Sequence, residues 1–302
     1  MKIAITGGDG FLGRNAAALL ERRGDQVVRV SRRTGVDLGD PPALRSAFSG
    51  CDAVVHAAGI NCERGAQTFQ EVHRQGTANV VRAAQNAGVK RLVFVSFLRA
   101  RPGCGSPYHE SKWDAEETVR ASGLDYTILR PGIVHGPGDH MLDHLSRALL
   151  TFPVFALLGR GDLPMRPLEV GDLAKVIAAA CSDPRLSRRT MAVVGPEEIT
   201  LRTAAERVAK AHAVRARFVR LPFWVHRALA ALFERTMVVP LAAKAQVRIL
   251  SESLSGPLQH CDPLPEDLRP RLPLDEAHIR AAQPAPARFQ LADLRVCARA
   301  AP

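Results

Sequence analysis

No Cys-x-x-Cys pair occurs in this chain. Its cysteines, Cys51, Cys62, Cys104, Cys181, Cys261 and Cys297, are scattered, which argues against a disulfide framework and against a zinc knuckle. Apolar runs are short as well: the longest, such as Val176 to Cys181 and Ala228 to Phe233, fall far below the ~20 residues of a membrane span. The formal charge is +11 and comes almost wholly from arginine, spread without an aromatic-interleaved basic patch or a helix-turn-helix pattern. Nucleic acid is therefore not an expected partner. An apolar strand starts at Met1, which leaves no room for a signal peptide, so a cytoplasmic protein is expected. A basic surface does favour anionic partners, whether phosphorylated cofactors, nucleotides or acidic lipid headgroups.

What the chain does have is glycine at fixed spacing. Directly behind Met1-Lys2-Ile3-Ala4-Ile5 stands Thr6-Gly7-Gly8-Asp9-Gly10-Phe11-Leu12-Gly13. Gly7 lets the chain turn off the strand, Gly10 lets backbone approach a pyrophosphate, and Gly13 lets the next helix pack close to the sheet. The N-terminus of that helix then faces the anion. An apolar helical stretch from Asn15 to Leu20, a stop at Gly24 and a second β-branched run from Gln26 to Val30 complete a βαβ unit.

The alternation continues. Asp40-Pro41-Pro42 opens a helix over Ala43 to Phe48, Cys51 to Gly59 is a buried strand, a long helix runs from about Gln67 to Asn86, and Arg91 to Ser96 is a further apolar strand. A helix to about Ala121 and a strand at Tyr126 to Leu129 follow. Strands apolar on both faces and alternating with helices predict a Rossmann-type, doubly wound parallel α/β sheet. Residues 1–138, rejoined by 169–200, are assigned to a dinucleotide-binding domain. Residues 139–168 and 201–302 are assigned to a smaller, discontinuous substrate or partner lobe, with little structure past Pro263.

These residues resemble the extended and atypical short-chain dehydrogenase/reductases, the family of nucleotide-sugar epimerases and dehydratases. The resemblance rests on Thr6 to Gly13, Asp37-Leu38, His56-Ala57-Ala58-Gly59, Gly76-Thr77, Tyr108 with Lys112, Leu129-Arg130-Pro131-Gly132 and Val170-Gly171-Asp172. Gly195 to Thr200 and Leu221-Pro222 look most like the branch containing the mitochondrial complex I 39-kDa subunit.

The resemblance implies a cofactor site of Gly7, Gly10, Phe11, Leu12, Gly13, Asp37, Leu38, Ala57, Ala58, Gly59, Lys112 and Pro131. At the end of the second strand, where a carboxylate would accept both ribose hydroxyls of NAD, stand Ser31, Arg32 and Arg33. Two guanidiniums and a hydroxyl suit a 2′-phosphate, so NADP(H) is favoured over NAD(H); the competing reading is an exposed basic turn. Tyr108 and Lys112 are four residues apart and share a helix face. The resemblance implies that Tyr108 is general acid or base and that a cationic Lys112 lowers its phenol pKa.

The family's substrate-orienting hydroxyl falls at Leu98, with Ser96 the nearest replacement, and His73 stands where many relatives carry Asn. His135, His140 and Arg166 are candidate contacts to a substrate, small and either anionic or hydrophobic; no metal site is expected. Two functions remain open: an oxidoreductase or epimerase/dehydratase acting at a hydroxyl or carbonyl carbon, and a non-catalytic NADP(H)-binding accessory or sensor protein. The aromatic-led stretch Leu221 to Phe233 fits a lobe cap, a hydrophobic substrate, a protein partner or a peripheral membrane contact alike.

Overall fold

The computed structural model of the chain describes residues 1–152, 154–158, 162–237, 244–283, 287–290 and 293. Two compact units emerge. The first comprises Met1–Gly132, Leu168–Val194 and Gly256–Leu272; the second holds the described residues of Ile133–Pro167, Gly195–Ser255 and Pro273–Pro302.

The first unit alternates β1 (Lys2–Thr6), α1 (Phe11–Arg22), β2 (Gln26–Val30), α2 (Pro41–Phe48), β3 (Ala53–His56), α3 (Gly76–Asn86), β4 (Arg91–Val95), α4 (Pro107–Arg120) and β5 (Asp125–Pro131). The second unit then contributes β6 (Val134–His135), α5 (His140–Thr151), β7 (Val154–Leu158) and β8 (Pro164–Met165). The chain returns through β9 (Leu168–Glu169), α6 (Val170–Ala180) and β10 (Arg189–Val193). Back in the second unit come β11 (Ile199–Thr200), α7 (Leu201–Ala211), β12 (Arg217–Leu221), α8 (Phe223–Thr236), α9 (Lys244–Leu250) and α10 (Glu276–Ala282).

One parallel sheet, ordered β10-β5-β4-β3-β1-β2, carries the first unit. Its inner strands β3 and β4 are buried at every residue, as expected of unalternating apolar runs covered on both faces. Leu44, Phe48, Val80, Leu92, Phe94 and Ile128 form part of one core cluster, each full burial stabilising the fold by about 1.5–3 kcal/mol. Helix starts follow their local chemistry: the Asp40 carboxylate accepts from the Ala43 N–H at 3.0 Å, with proline in the first turn. Thr6, at the end of β1, pairs with Val30 on one side and His56 on the other. The strand order reverses there, which opens a crevice at the carboxyl ends of the strands.

The long helix expected from Gln67 to Asn86 is broken: a π turn over Gln70–Gln75 precedes α3. Such widened turns are frequent at functional sites, and this one holds His73 at 2% exposure. A second difference concerns the tail. Gly256–Leu272 belongs to the first unit, not to the second lobe. The Asp262 carboxylate accepts from the Thr190 N–H at 2.9 Å, and Asp172 accepts from the N–H groups of Arg271 and Leu272 at 2.7 and 2.9 Å. Beyond it, Asp275 caps α10. Isolated carboxylate-to-backbone anchors leave no hydrophobic period in a sequence, so the pattern did not reveal them.

In the second unit β7 pairs in parallel with β12 and β8 antiparallel with β11. Among the described residues, no helix is long and apolar enough to cross a membrane.

Candidate functional site

The glycine turn between β1 and α1 is built by close contact. Gly7 has φ +70° and donates to the Val30 carbonyl at 2.8 Å, and the Gly10 N–H donates to the Gly7 carbonyl at 2.9 Å. A Cβ on Gly7 would lie 2.8 Å from Ala58 Cα, and one on Gly13 would lie 2.1 Å from the Gly7 oxygen. Neither position admits a side chain. The N-cap of α1 is Gly10, with no side-chain cap and no acidic residue in the first turn. The N–H groups of Phe11, Leu12 and Gly13 in that first turn are therefore left uncapped by a side chain, and the residues present fit a dinucleotide pyrophosphate.

At the end of β2, Ser31 is spent on local structure. Its hydroxyl donates to the Asp9 carboxylate and accepts from the N–H groups of Arg33 and Thr34 at 3.1 and 3.3 Å. With the Gln67 carboxamide oxygen turned toward it, Arg32 donates through both terminal nitrogens at 2.5 and 2.8 Å. Arg33 is exposed. Asp37 accepts from the Gly39 N–H at 2.7 Å, the Leu38 carbonyl accepts from Asn79 Nδ2 at 2.8 Å, and the Ala57 N–H donates to the Thr6 carbonyl at 3.2 Å. The Gly-rich turn, Ser31 to Arg33, Asp37-Leu38 and Ala57 to Gly59 thus all border the strand ends where the sheet order reverses.

Helix α4 supplies the other wall. Tyr108 and Lys112 lie one turn apart and are 7% and 6% exposed. Lys112 Nζ donates to the Val95 carbonyl at 3.3 Å, and a Cβ on Gly59 would stand 3.1 Å from it. Burial pulls the Lys112 pKa down to about 8, against the opposing charge of Glu116. The Tyr108 ring is enclosed by Phe97 at 5.4 Å, Phe69 and His109 at 5.7 Å and His73 at 5.8 Å. Its phenol pKa is raised by burial. The expected lowering by Lys112 is thereby corrected: the ammonium is turned to the Val95 carbonyl, and desolvation governs the phenol.

His73 ties these pieces together and was noticed in the sequence only as a departure from Asn. Its Nε2 accepts the Ile60 N–H at 3.1 Å, which leaves the proton on Nδ1, 2.8 Å from Ser111 Oγ; Ser111 in turn donates to the Tyr108 carbonyl at 2.9 Å. Burial and the nearby Lys112 charge hold its pKa well below the usual histidine value.

Ser96 is 5% exposed and donates to Glu116 Oε1 at 2.5 Å. Glu116 is fully buried and also accepts from Arg130 Nε and Nη2 at 2.9 and 2.6 Å. Leu98 is 1% exposed, its N–H bonded to the Pro131 carbonyl at 2.9 Å. The remaining candidates belong to the second unit. His135 is 1% exposed, Arg166 Nη2 donates to the Pro196 carbonyl at 2.9 Å, and the His140 side chain lies outside the described residues.

A family described as NAD(P)H-binding matches residues 7–147. The ceramide reductase of Caulobacter vibrioides is 30% identical over 234 residues, covering 73% of each chain. Subunit 9 of the NADH dehydrogenase (ubiquinone) 1 alpha subcomplex of Mus musculus is 29% identical over 218 residues, 65% of this chain and 57% of that one. Among solved structures, the UDP-glucose 4-epimerase of Thermus thermophilus in complex with NAD matches with a TM-score of 0.67 at 23% identity, over 93% of this chain and 100% of that one. The glycine turn at the switch point and these relationships agree: this chain belongs to the NAD(P)-binding extended and atypical short-chain dehydrogenase/reductases.

Proposed function

We propose that this chain is an NADP(H)-dependent oxidoreductase acting at a hydroxyl- or carbonyl-bearing carbon of a small molecule, with Tyr108 as the proton-transferring group. The observation that carries the reading is the joint burial of Tyr108 and Lys112 one turn apart on α4, with Lys112 Nζ beside Gly59 at the end of β3. A bound nicotinamide supplies or accepts the hydride. Tyr108 holds its proton at neutral pH as an ordinary phenol does; burial raises its pKa further, so proton donation in the reductive direction is driven by the negative charge that builds on the carbonyl oxygen as the hydride arrives. Lys112, at about 8, is mostly cationic at pH 7, and its Nζ beside Gly59 suits it to hold the ribose. The likeness to a ceramide reductase supports reduction of a carbonyl in an amphipathic molecule. Arg32 and Arg33, in place of a ribose-binding carboxylate, support NADP(H).

A second reading, a non-catalytic NADP(H)-binding accessory protein, is favoured by Leu98. It is buried where the resemblance places a hydroxyl, and the Ser96 proton goes to Glu116. The likeness to the mitochondrial NADH dehydrogenase subunit supports it too. Calorimetric titration with NADPH and NADH, followed by turnover assays against keto-amides, simple carbonyl compounds and nucleotide sugars, separates the two. Tight NADPH binding with turnover supports the enzyme, and tight binding without any turnover supports the accessory role. Tighter binding of NADH than of NADPH overturns the choice of NADP(H).

A further inference from the structure

Helix α8 presents apolar side chains to solvent. Trp224 is 71% and Leu232 52% exposed, and Ala228 is exposed between them. At about 100° per residue, Trp224, Arg227, Ala228, Ala231, Leu232 and Arg235 occupy one arc of about 140°. No acidic residue falls on that arc. The opposite side is already satisfied: Ala230 is fully buried and clusters with Val247, Leu201, Phe223 and Leu250. The outward tryptophan and leucine therefore contribute nothing to that core.

Charge around this face has a single sign. Arg227 and Arg235 lie on the arc, and Arg217 and Arg220 lie on β12 just before the helix; all four are exposed. Among the described residues none of the four enters a salt bridge, whereas Arg185, Arg189, Arg207 and Arg248 all do. The one acid of α8, Glu234, accepts the Lys244 N–H at 2.8 Å. Val219, on β12 just before the helix, is 40% exposed as well. A tryptophan and a leucine projecting between arginines that lack a carboxylate partner match the headgroup region of a bilayer: the apolar groups enter the acyl boundary and the guanidiniums stay with phosphates.

We propose that the outward face of α8, with β12 beside it, docks on an anionic phospholipid surface. Charge complementarity selects that occupant, because Arg227 and Arg235 on the arc have no acidic partner among the described residues, which favours negative headgroups over neutral ones. The proposal concerns the second unit alone and does not depend on the redox reading.

The chain has two tryptophans, so Trp113→Phe leaves Trp224 as the sole indole reporter. Vesicles of phosphatidylcholine, with and without phosphatidylglycerol, are mixed with this variant and with the wild-type chain, in the absence of dinucleotide. The expected result is a blue shift of Trp224 emission and co-flotation of the wild-type protein with phosphatidylglycerol vesicles, both weakened by salt. Arg227→Gln/Arg235→Gln should weaken binding by about fivefold per arginine, and Trp224→Ser/Leu232→Ser should abolish flotation, with unchanged circular dichroism and NADPH affinity. Absence of wild-type flotation overturns the proposal, as does equal binding to neutral vesicles. A wild-type dimer that Trp224→Ser/Leu232→Ser converts to monomer, without vesicle binding, assigns the face to a second copy and overturns it as well. A separate NADPH titration reports on the first unit, so failure here is distinguishable from failure of the oxidoreductase reading.

Discussion

His73 joins the strand end after β3 to the helix that carries Tyr108: its Nδ1 donates to Ser111 Oγ at 2.8 Å while its Nε2 accepts the Ile60 N–H at 3.1 Å. The Nε2 bond requires the neutral ring, because a protonated imidazole has no acceptor nitrogen. His73→Phe leaves the Ile60 N–H and the Ser111 hydroxyl without this partner, a loss of about 1–3 kcal/mol for each buried group left unsatisfied. Urea denaturation should show that loss, and NADPH affinity should fall by about tenfold as the Gly59-Ile60 segment loosens. His73→Asn, which can replace one of the two bonds, should recover part of both.

Acid should destabilise the first unit through two histidines. His56 is held down to about 3 and His73 well below its usual value, in both cases by burial first and the Lys112 charge second. Below about pH 6.5 the unfolded chain takes up these protons while the folded chain does not, so stability is full above that pH and falls as pH drops toward the folded values. Each histidine contributes a slope of up to about 1.4 kcal/mol per pH unit. Denaturation midpoints measured from pH 7 to pH 4 should fall accordingly, and His56→Gln should remove about half of the slope.

The α1 turn admits no substituent at its third glycine. Gly13→Ala places a methyl 2.1 Å from the Gly7 oxygen, which must push the helix N-terminus away from the pyrophosphate position. NADPH binding by calorimetry should weaken by at least about tenfold, the equivalent of one lost charged hydrogen bond.

Glu116 is the acid of a buried pair. Glu116→Gln leaves Arg130, 1% exposed, without its carboxylate and should cost about 3–5 kcal/mol in thermal or urea unfolding. Ser96→Ala removes only one hydrogen bond to that carboxylate and should cost about 1 kcal/mol.

What could be read from the sequence was local or periodic. Gly7, Gly10 and Gly13 mark a turn whose geometry excludes side chains, Asp40 caps the helix its position predicts, and unalternating valine runs at β3 and β4 become the buried parallel strands. The Tyr108 and Lys112 spacing brought both to one buried face. What escaped depends on partners distant in sequence. Ser96, Glu116 and Arg130 meet only once β4, α4 and β5 are assembled, and Asp262 finds Arg189 and Thr190 across 73 and 72 residues. The direction of the Tyr108 shift escaped for the same reason: four rings from three segments enclose it, and no short motif encodes that desolvation.

The central claim is that Tyr108 moves the proton while the dinucleotide is held by other residues. Single-turnover NADPH oxidation with a carbonyl substrate found in the panel, compared between the wild type and Tyr108→Phe, tests it most directly. Tyr108→Phe should lose about 10²–10⁴-fold in the rate of hydride transfer, with NADPH affinity unchanged. A Tyr108→Phe protein that turns over at the wild-type rate would contradict it.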